Sequence, residues 1–173
     1  SHGIVKDNMR FNEKPNGPWV YEQQDLGYNY RMTDLHAALG LSQLQRLDDF
    51  VEKRNRLLKL YNDLAEDLSI YFLEIPPNIR SSVHLAVMRF KRPNKELHLR
   101  VFNYLRKNNF GVQIHYIPIH LQPYYKKFGF KEGDFPNSEL YATDAISLPI
   151  FPNIKEDTPN KVIDLIRKVI INY

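Results

Sequence analysis

Apolar residues recur at helical spacing from Thr33 to about Asp67. They mark one face of the segment at Leu35, Ala38, Leu39, Leu44, Leu47, Phe50, Val51, Leu57, Leu58, Tyr61 and Leu64. This spacing predicts a long amphipathic helix with a bend or break, which we place near Asp48. Thr33 can cap its first N–H groups, and Asp34 lies where the helix dipole favours negative charge. Such a helix either links a large domain to a small one, lies along a subunit interface, or forms an ordinary core helix.

Two features qualify this helix and the segment before it. Gly40 interrupts the helical pattern, and a close helix contact is one reason to tolerate a glycine there. Residues 1–24 show little periodicity, and Pro15 and Pro18 break any regular element. We therefore expect residues 1–24 to form a loop that packs on a body outside this chain.

The rest of the chain alternates between strand and helix patterns. The patterns predict strands at 82–90 and 112–114, helices at 95–108, 139–145 and 158–170, and an extended segment at 147–152. We expect Gly111 to stop the helix that precedes it, and Thr158 to cap the last helix. Alternating strands and helices predict an α/β fold in which helices cover a few-stranded sheet.

Composition indicates a folded soluble protein and restricts its chemistry. The 173 residues are 43% hydrophobic and 13% aromatic, which is enough for one core with an N-terminal extension. No apolar run reaches the length of a membrane span, and no signal peptide is visible. The chain has no cysteine, which excludes disulfides, thiolate metal sites and thiol nucleophiles and fits a cytoplasmic location.

The net charge of +4 is a weak indication of an acidic partner. Lysine and arginine number 24 against 20 acidic residues, and the two signs interleave, as in residues 48–54. No basic stripe or known nucleic-acid-reading motif is present, so we expect no nucleic-acid partner. The positive excess can attract a diphosphate-linked sugar.

Several polar side chains are candidates for chemistry. His115 and His120 flank a proline, but they lack a cysteine or a suitably spaced carboxylate, so we expect no metal site. Each histidine is either satisfied within the fold or contacts a substrate. Asn29, at the mouth of the long helix, suits a phosphate or a turn. Arg31 either clamps a phosphate or pairs with a nearby aspartate, Asp25 or Asp34.

Several groups of residues resemble a known family. Residues 27–34, Gly-Tyr-Asn-Tyr-Arg-Met-Thr-Asp, followed by Ala-Ala-Leu-Gly-Leu-Ser-Gln-Leu at 37–44, resemble the DegT-type sugar-nucleotide aminotransferases. Residues 1–4, Gly-Pro-Trp at 17–19 with Tyr-Glu-Gln at 21–23, and the segment 115–125 resemble the branch that serves pseudaminic acid synthesis. The resemblance covers nearly the whole chain, but only the second half of such an enzyme.

The resemblance implies a fold, a cofactor and site residues. It implies the C-terminal small domain of a fold-type I aminotransferase: a few-stranded sheet, flanking helices and a long linking helix over residues 33–173. Residues 1–32 would belong to the large domain and a homodimer interface. Pyridoxal phosphate is the implied cofactor, and the lysine that binds it covalently is expected upstream of this chain, so no catalytic residue is expected within it. Substrate contacts are carried over to Asn29, Ile114, His115, Tyr116 and Ile117, and Asn29 is also expected at the partner subunit's cofactor phosphate.

The implied reaction transfers an amino group, by resemblance from glutamate, to C4 of a UDP-linked 4-keto-6-deoxy-N-acetylamino sugar. Two alternatives stay open on the sequence. One is a family relative that dehydrates sugars, in which histidine replaces the lysine. The other is a non-catalytic domain for sugar-nucleotide binding or assembly.

Overall fold

The computed structural model describes residues 2–173; Ser1, the first residue of the resembling segment, lies outside the described residues. The chain divides into two compact units, one ending at Arg46 and the other spanning Leu47–Tyr173. The sequence-based division after residue 32 concerns a larger domain outside this chain, and it stays a prediction. Within residues 2–173, no helix has the length and apolarity that crossing a membrane requires.

The N-terminal unit begins with a pair of short strands. β1 (Ile4–Val5) pairs antiparallel with β2 (Glu22–Gln23), and a 3₁₀ turn (Asn8–Arg10) lies between them. The segment 1–24, which was expected to be a loop, therefore contains one pair of short strands and a 3₁₀ turn. Hydrogen bonds, rather than a periodic apolar face, hold this segment together. Besides the strand pairing, the Glu22 carboxylate accepts hydrogen bonds from the backbone N–H groups of Asn12 (2.8 Å) and Glu13 (3.1 Å).

The predicted long helix is divided into α1 (Asp34–Leu44) and α2 (Leu47–Leu64). The break lies just before the predicted position. The Thr33 hydroxyl accepts a hydrogen bond from the backbone N–H of His36 (3.4 Å), which confirms the predicted cap. No described atom lies within 4 Å of a Cβ built on Gly40, so the close contact suggested for that glycine is not made in this unit.

The remaining elements belong to the C-terminal unit. In chain order they are β3 (Ile70–Phe72), β4 (Ala86–Phe90), α3 (Lys95–Lys107), a 3₁₀ turn (Ile119–Leu121), α4 (Pro123–Lys126), α5 (Pro136–Asp144), β5 (Ala145–Leu148) and α6 (Thr158–Ile171). β4 lies between β3 and β5 in an antiparallel sheet. The predicted α/β class, a small sheet with flanking helices, is confirmed.

The two faces of this sheet have different roles. Alternate residues of β4 and β5, such as Met88, Ile146 and Leu148, join the buried core formed with α2, α3 and α6. The intervening residues point to the opposite face, since successive side chains of a strand alternate. That face carries Arg89 and Ser147.

Several predicted boundaries need correction. Residues 112–114 form no strand; Gln113 alone bridges to Ser147. The helix after Phe135 ends at Asp144, so the extended segment begins earlier than predicted, and it is a strand only to Leu148. β3 was not predicted, because three residues carry too little periodicity to be recognised.

The ends of two helices also differ from the prediction. α3 is terminated by Asn109, with φ 64°, two residues before Gly111. Its N–H bonds to Arg106 O and that of Phe110 to Leu105 O, which together make a Schellman motif. The residue that precedes α6 is Asp157 rather than Thr158, and its side chain makes no capping hydrogen bond.

Candidate functional site

Four of the predicted substrate-binding residues follow a segment that is anchored to the edge of the sheet. β5 is the last strand of the sheet, and Gln113 pairs with its free edge through Ser147. The backbone N–H of Ser147 donates to Gln113 O (2.8 Å), and that of Gln113 donates to Ser147 O (3.4 Å). The Gln113 side chain accepts from the Ile114 N–H (2.9 Å). The start of the 114–117 segment is therefore fixed by hydrogen bonds.

The His115 side chain is also fixed. Its Nδ1 lies 2.8 Å from the hydroxyl of Ser147, which is buried. The Tyr116 ring stands edge-on to the imidazole, with centroids 4.8 Å apart, and the peptide bond between the two residues is cis. Tyr116 is 71% exposed and Ile117 61% exposed. The segment thus combines an anchored histidine with an exposed tyrosine and isoleucine that a ligand can cover.

His115 lines a cleft of about 370 Å³ in the C-terminal unit. Its polar lining comes from Arg54, His84, Gln113, His115 and Ser147. The rest of the lining is largely apolar and consists of Leu85, Gly111 and residues 148–151. Sequence reasoning missed Ser147 and Arg54. The available signal for Ser147 was a hydroxyl residue between two apolar residues of a buried strand.

Asn29 lies in the N-terminal unit, in a polar cluster with Arg31 and His2. The Arg31 Nε donates to Asn29 Oδ1 (2.9 Å), and Arg31 Nη2 lies 3.3 Å from His2 Nε2. Among residues 2–173, neither Asp25 nor Asp34 pairs with Arg31, so the ion pair considered from the sequence is not formed. Because the Asn29 oxygen accepts from Arg31, the side-chain N–H₂ group is the part of the amide that could donate to a ligand.

Two glycines allow the backbone to fold at this cluster. A Cβ on Gly3, whose φ is +71°, would lie 1.8 Å from Asp25 O, and a Cβ on Gly27 would lie 2.3 Å from Gly3 N. The backbone N–H of His2 donates to Tyr28 O (3.2 Å). Only glycine permits this approach, which brings His2 next to the 28–31 segment.

His120, the second histidine considered as a candidate, is occupied within the fold. Its Nε2 lies 2.7 Å from Glu139 Oε1, and the Phe135 ring packs against the imidazole at 4.8 Å. The hydrogen bond to His120 lowers the pKa of Glu139 below its usual range, and the backbone N–H of Gly133 adds to this effect. Over residues 2–173 no group of three potential ligands could hold a metal ion. His120 thus secures the 133–139 turn.

Comparison with known proteins identifies the chain's relatives. Residues 1–167 match the DegT/DnrJ/EryC1/StrS aminotransferase family. Spore coat polysaccharide biosynthesis protein SpsC of Bacillus subtilis is 35% identical over 159 residues, which cover 90% of this chain and 41% of SpsC. UDP-4-amino-4,6-dideoxy-N-acetyl-beta-L-altrosamine transaminase of Campylobacter jejuni is 31% identical over 181 residues, covering 97% of this chain and 44% of that protein.

A solved structure agrees with these relatives. The protein described as a sugar aminotransferase, Spr1654 from Streptococcus pneumoniae in its PMP form, superposes with a TM-score of 0.83 and 26% identity. The match covers 99% of this chain and 43% of Spr1654. The chain spans less than half the length of each of these three proteins. Its sequence and fold together show that it belongs to the DegT/DnrJ/EryC1/StrS aminotransferase family.

Proposed function

We propose that this chain is part of a pyridoxal-phosphate-dependent aminotransferase that acts on a UDP-linked 4-keto-6-deoxy-N-acetylamino sugar. The amino group, with glutamate as donor, would be added at C4, as in pseudaminic acid synthesis. Family membership and the Campylobacter jejuni relative support this reaction. The name of SpsC refers to spore coat polysaccharide instead. Comparing turnover of different 4-keto sugar nucleotides would therefore identify the acceptor sugar.

The observation that carries the proposal is the anchored His115 beside an exposed Tyr116. Ser147 holds one nitrogen of the imidazole at 2.8 Å, and the other nitrogen is left for a sugar hydroxyl or a diphosphate oxygen. Tyr116 can stack on the sugar and donate from its hydroxyl at the same time. Ile114 and Ile117 precede and follow this pair in the sequence and would add apolar contacts to the substrate.

Asn29 would bind the cofactor phosphate of the partner subunit in a homodimer with shared active sites. The residues fit this role, because Arg31 holds the Asn29 oxygen and leaves the amide N–H₂ group as a donor. Pyridoxal phosphate, when bound, supplies the electron sink for amino transfer. The lysine that binds the cofactor covalently would lie in a part of the protein outside this chain.

The apolar surface of the N-terminal unit would pack against the rest of the longer protein and its partner subunit. α1 has no buried residue, and four of its leucines are at least 60% exposed, namely Leu35, Leu39, Leu41 and Leu44. So many exposed apolar side chains on one element are typical of a contact surface. The relatives are more than twice as long as this chain, and that additional length could supply the covering surface.

Replacing His115 or Tyr116 with alanine in the full-length protein tests the substrate wall. Losing one hydrogen bond to a charged group should raise the KM for the sugar nucleotide about ten- to a hundred-fold. Cofactor occupancy, measured by absorbance, should not change. Tyr124→Ala, at a tyrosine 61% exposed elsewhere in the unit, is the matched control.

The outcomes separate binding from packing and amination from dehydration. Unchanged sugar kinetics with a lowered Tm would show that His115 and Tyr116 only pack. Transfer of ¹⁵N from labelled glutamate to C4 of the 4-keto sugar supports the reaction. Loss of a sugar hydroxyl without nitrogen incorporation would refute amination and indicate the dehydratase.

Subunit complementation tests the role of Asn29. Asn29→Asp places a carboxylate against a phosphate, and each like-charge pair at about 4 Å costs about 4 kcal/mol at an effective dielectric of about 20. A subunit that lacks the catalytic lysine but keeps Asn29 is mixed with one that keeps the lysine but carries Asn29→Asp. If Asn29 serves the partner's site, the heterodimer contains one intact site and recovers towards half of wild-type activity. No recovery in a verified heterodimer would contradict the cross-subunit role.

A further inference from the structure

The cleft beside His115 has a wall of unusual composition. Three basic side chains, Arg54, His84 and His115, line it together with Ser147. No aspartate or glutamate is among its lining residues within the described chain. Its volume of about 370 Å³ lies at the lower end of the range for small-ligand sites. A concave site that offers donors and no competing carboxylate favours an anion.

We propose that this cleft binds the diphosphate of the sugar nucleotide, with His84 and His115 as donors and Arg54 as the fixed positive charge. The inference rests on the proposed function for the identity of the ligand. It adds His84 and Arg54 to the site, and it makes Ser147 the residue that positions His115.

The hydrogen bond of Ser147 determines which nitrogen of His115 faces the cleft as a donor. In the part of the chain that the structure describes, the Ser147 hydroxyl has His115 Nδ1, at 2.8 Å, as its only side-chain partner. Either group could donate in this contact; because a buried hydroxyl needs an acceptor for its proton, we assign Ser147 as the donor to Nδ1. The proton of the neutral ring then resides on Nε2. His115 is therefore held in the tautomer that donates to a phosphate oxygen.

His84 is held at the cleft by a constrained turn. Val83 has a φ of 48°, which is rare for a β-branched residue. Arg54 Nη1 donates to both Val83 O (3.2 Å) and His84 O (3.1 Å), and the Val83 N–H donates to the Ser81 hydroxyl (3.1 Å). Asn55 Nδ2 also donates to Ser81 O (2.9 Å). These bonds maintain an unfavourable backbone conformation, while the His84 side chain stays exposed on the cleft.

Arg54 contributes charge as well as structure. Its guanidinium stays protonated at all relevant pH values and carries five N–H donors. The two carbonyl bonds use Nη1, so Nε and Nη2 remain for a ligand. Because Arg54→Met would also release both carbonyls, the exposed His84 is the better residue for the primary test.

The test measures the affinity of the full-length protein for UDP, uridine and pyrophosphate by titration calorimetry. His84→Ala should weaken UDP and pyrophosphate about ten-fold, the effect of losing one hydrogen bond to a charged group, and leave uridine unchanged. Arg54→Met should do the same, whereas Arg56→Met, on the same helix but outside this cleft, should change nothing. Equal loss for UDP and uridine, or no loss for either, would overturn the assignment of the diphosphate.

Ser147 is tested by a signature that simple packing would not produce. In Ser147→Ala, ¹⁵N NMR of the imidazole should show His115 losing its Nε2–H tautomer preference, and UDP should bind several-fold more weakly. Ser147→Thr keeps the hydroxyl and should restore both. An unchanged tautomer in Ser147→Ala would overturn the positioning role.

The diphosphate site and the proposed function can be refuted separately. Normal turnover of the sugar nucleotide with unaltered UDP affinity in His84→Ala would refute the subsite and leave the proposed function intact. Cleft-dependent binding of pyrophosphate without any binding of UDP would support the anion site and refute the UDP-sugar substrate. Cleft-dependent binding of glutamate instead of pyrophosphate would assign the cleft to the donor carboxylate and overturn the diphosphate assignment.

Discussion

Replacing Asp144 with alanine should destabilise the C-terminal unit by about 3 kcal/mol. Asp144 is 1% exposed and binds Arg89 through two hydrogen bonds of 2.8 Å, one to each carboxylate oxygen. Tyr71 and Tyr141 place their rings 5.6 and 5.3 Å from the guanidinium carbon. The bond to Asp144 raises the pKa of Arg89. Because a guanidinium is protonated at all relevant pH values even without such a bond, Asp144→Ala would leave a charged group in this site without its partner.

The magnitude follows from how far Arg89 can regain water. Removing one partner of a buried ion pair costs about 3–5 kcal/mol, because the other charge is left uncompensated. The Arg89 side chain is 19% exposed, which allows partial hydration and favours the lower end of that range. The Arg80–Asp48 pair, with side chains 72% and 89% exposed, is the control. Arg80→Ala should cost less than about 1 kcal/mol.

Urea unfolding of the 173-residue chain, followed by circular dichroism, measures both variants and a double-mutant cycle. Asp144→Ala combined with Arg89→Ala should be less destabilised than the sum of the single variants, with a coupling energy of about 2 kcal/mol. Equal effects of Asp144→Ala and Arg80→Ala, or additive effects in the cycle, would refute the reasoning. An unchanged m-value would confirm that the native state, rather than the unfolded chain, was altered.

Three further predictions concern other parts of the chain. The bond to His120 keeps the pKa of Glu139 depressed in the folded state. The stabilisation of the fold by this bond is therefore present above the pKa of Glu139 in the unfolded chain and is lost as the pH falls through its pKa in the folded protein. Tm should therefore fall more steeply in acid for wild type than for Glu139→Gln; parallel curves would contradict this. Asn109, at φ 64°, should tolerate glycine, but alanine should cost about 1–2 kcal/mol in urea unfolding. Finally, the 173-residue chain alone should not bind stoichiometric pyridoxal phosphate; a borohydride-trapped adduct on one lysine would reverse that view.

The long periodic elements of the fold were predictable, whereas its short pairings were not. α3 and α6 present clear apolar faces, and the structure places both close to their predicted ranges. β3 and the β1–β2 pair are two or three residues long, so they depend on backbone partners elsewhere in the chain. Asn109 took the place expected for Gly111 because asparagine also tolerates the left-handed region.

The candidate site shows the same limit. A motif pointed to His115 and Tyr116, but their substrate role stays a prediction. Ser147 and Arg54 act through contacts with residues about thirty positions away in sequence, which no local pattern reveals. His120 was left open between substrate contact and a satisfied side chain; its pairing with Glu139 shows that it is satisfied.

The two-faced β5 strand constrains how this protein can evolve. Ile146 and Leu148 fill the core, while Ser147 between them holds His115. Inserting or deleting one residue in β5 would move the core-filling side chains to the opposite face of the sheet and Ser147 into the core. Folding and ligand binding would then be damaged together. Lineages that diverge in ligand preference should therefore retain the length of this strand and vary by substitution at alternate positions. Insertions and deletions should instead be tolerated in exposed turns such as the one around Gly129, where no described atom lies within 4 Å of an added Cβ.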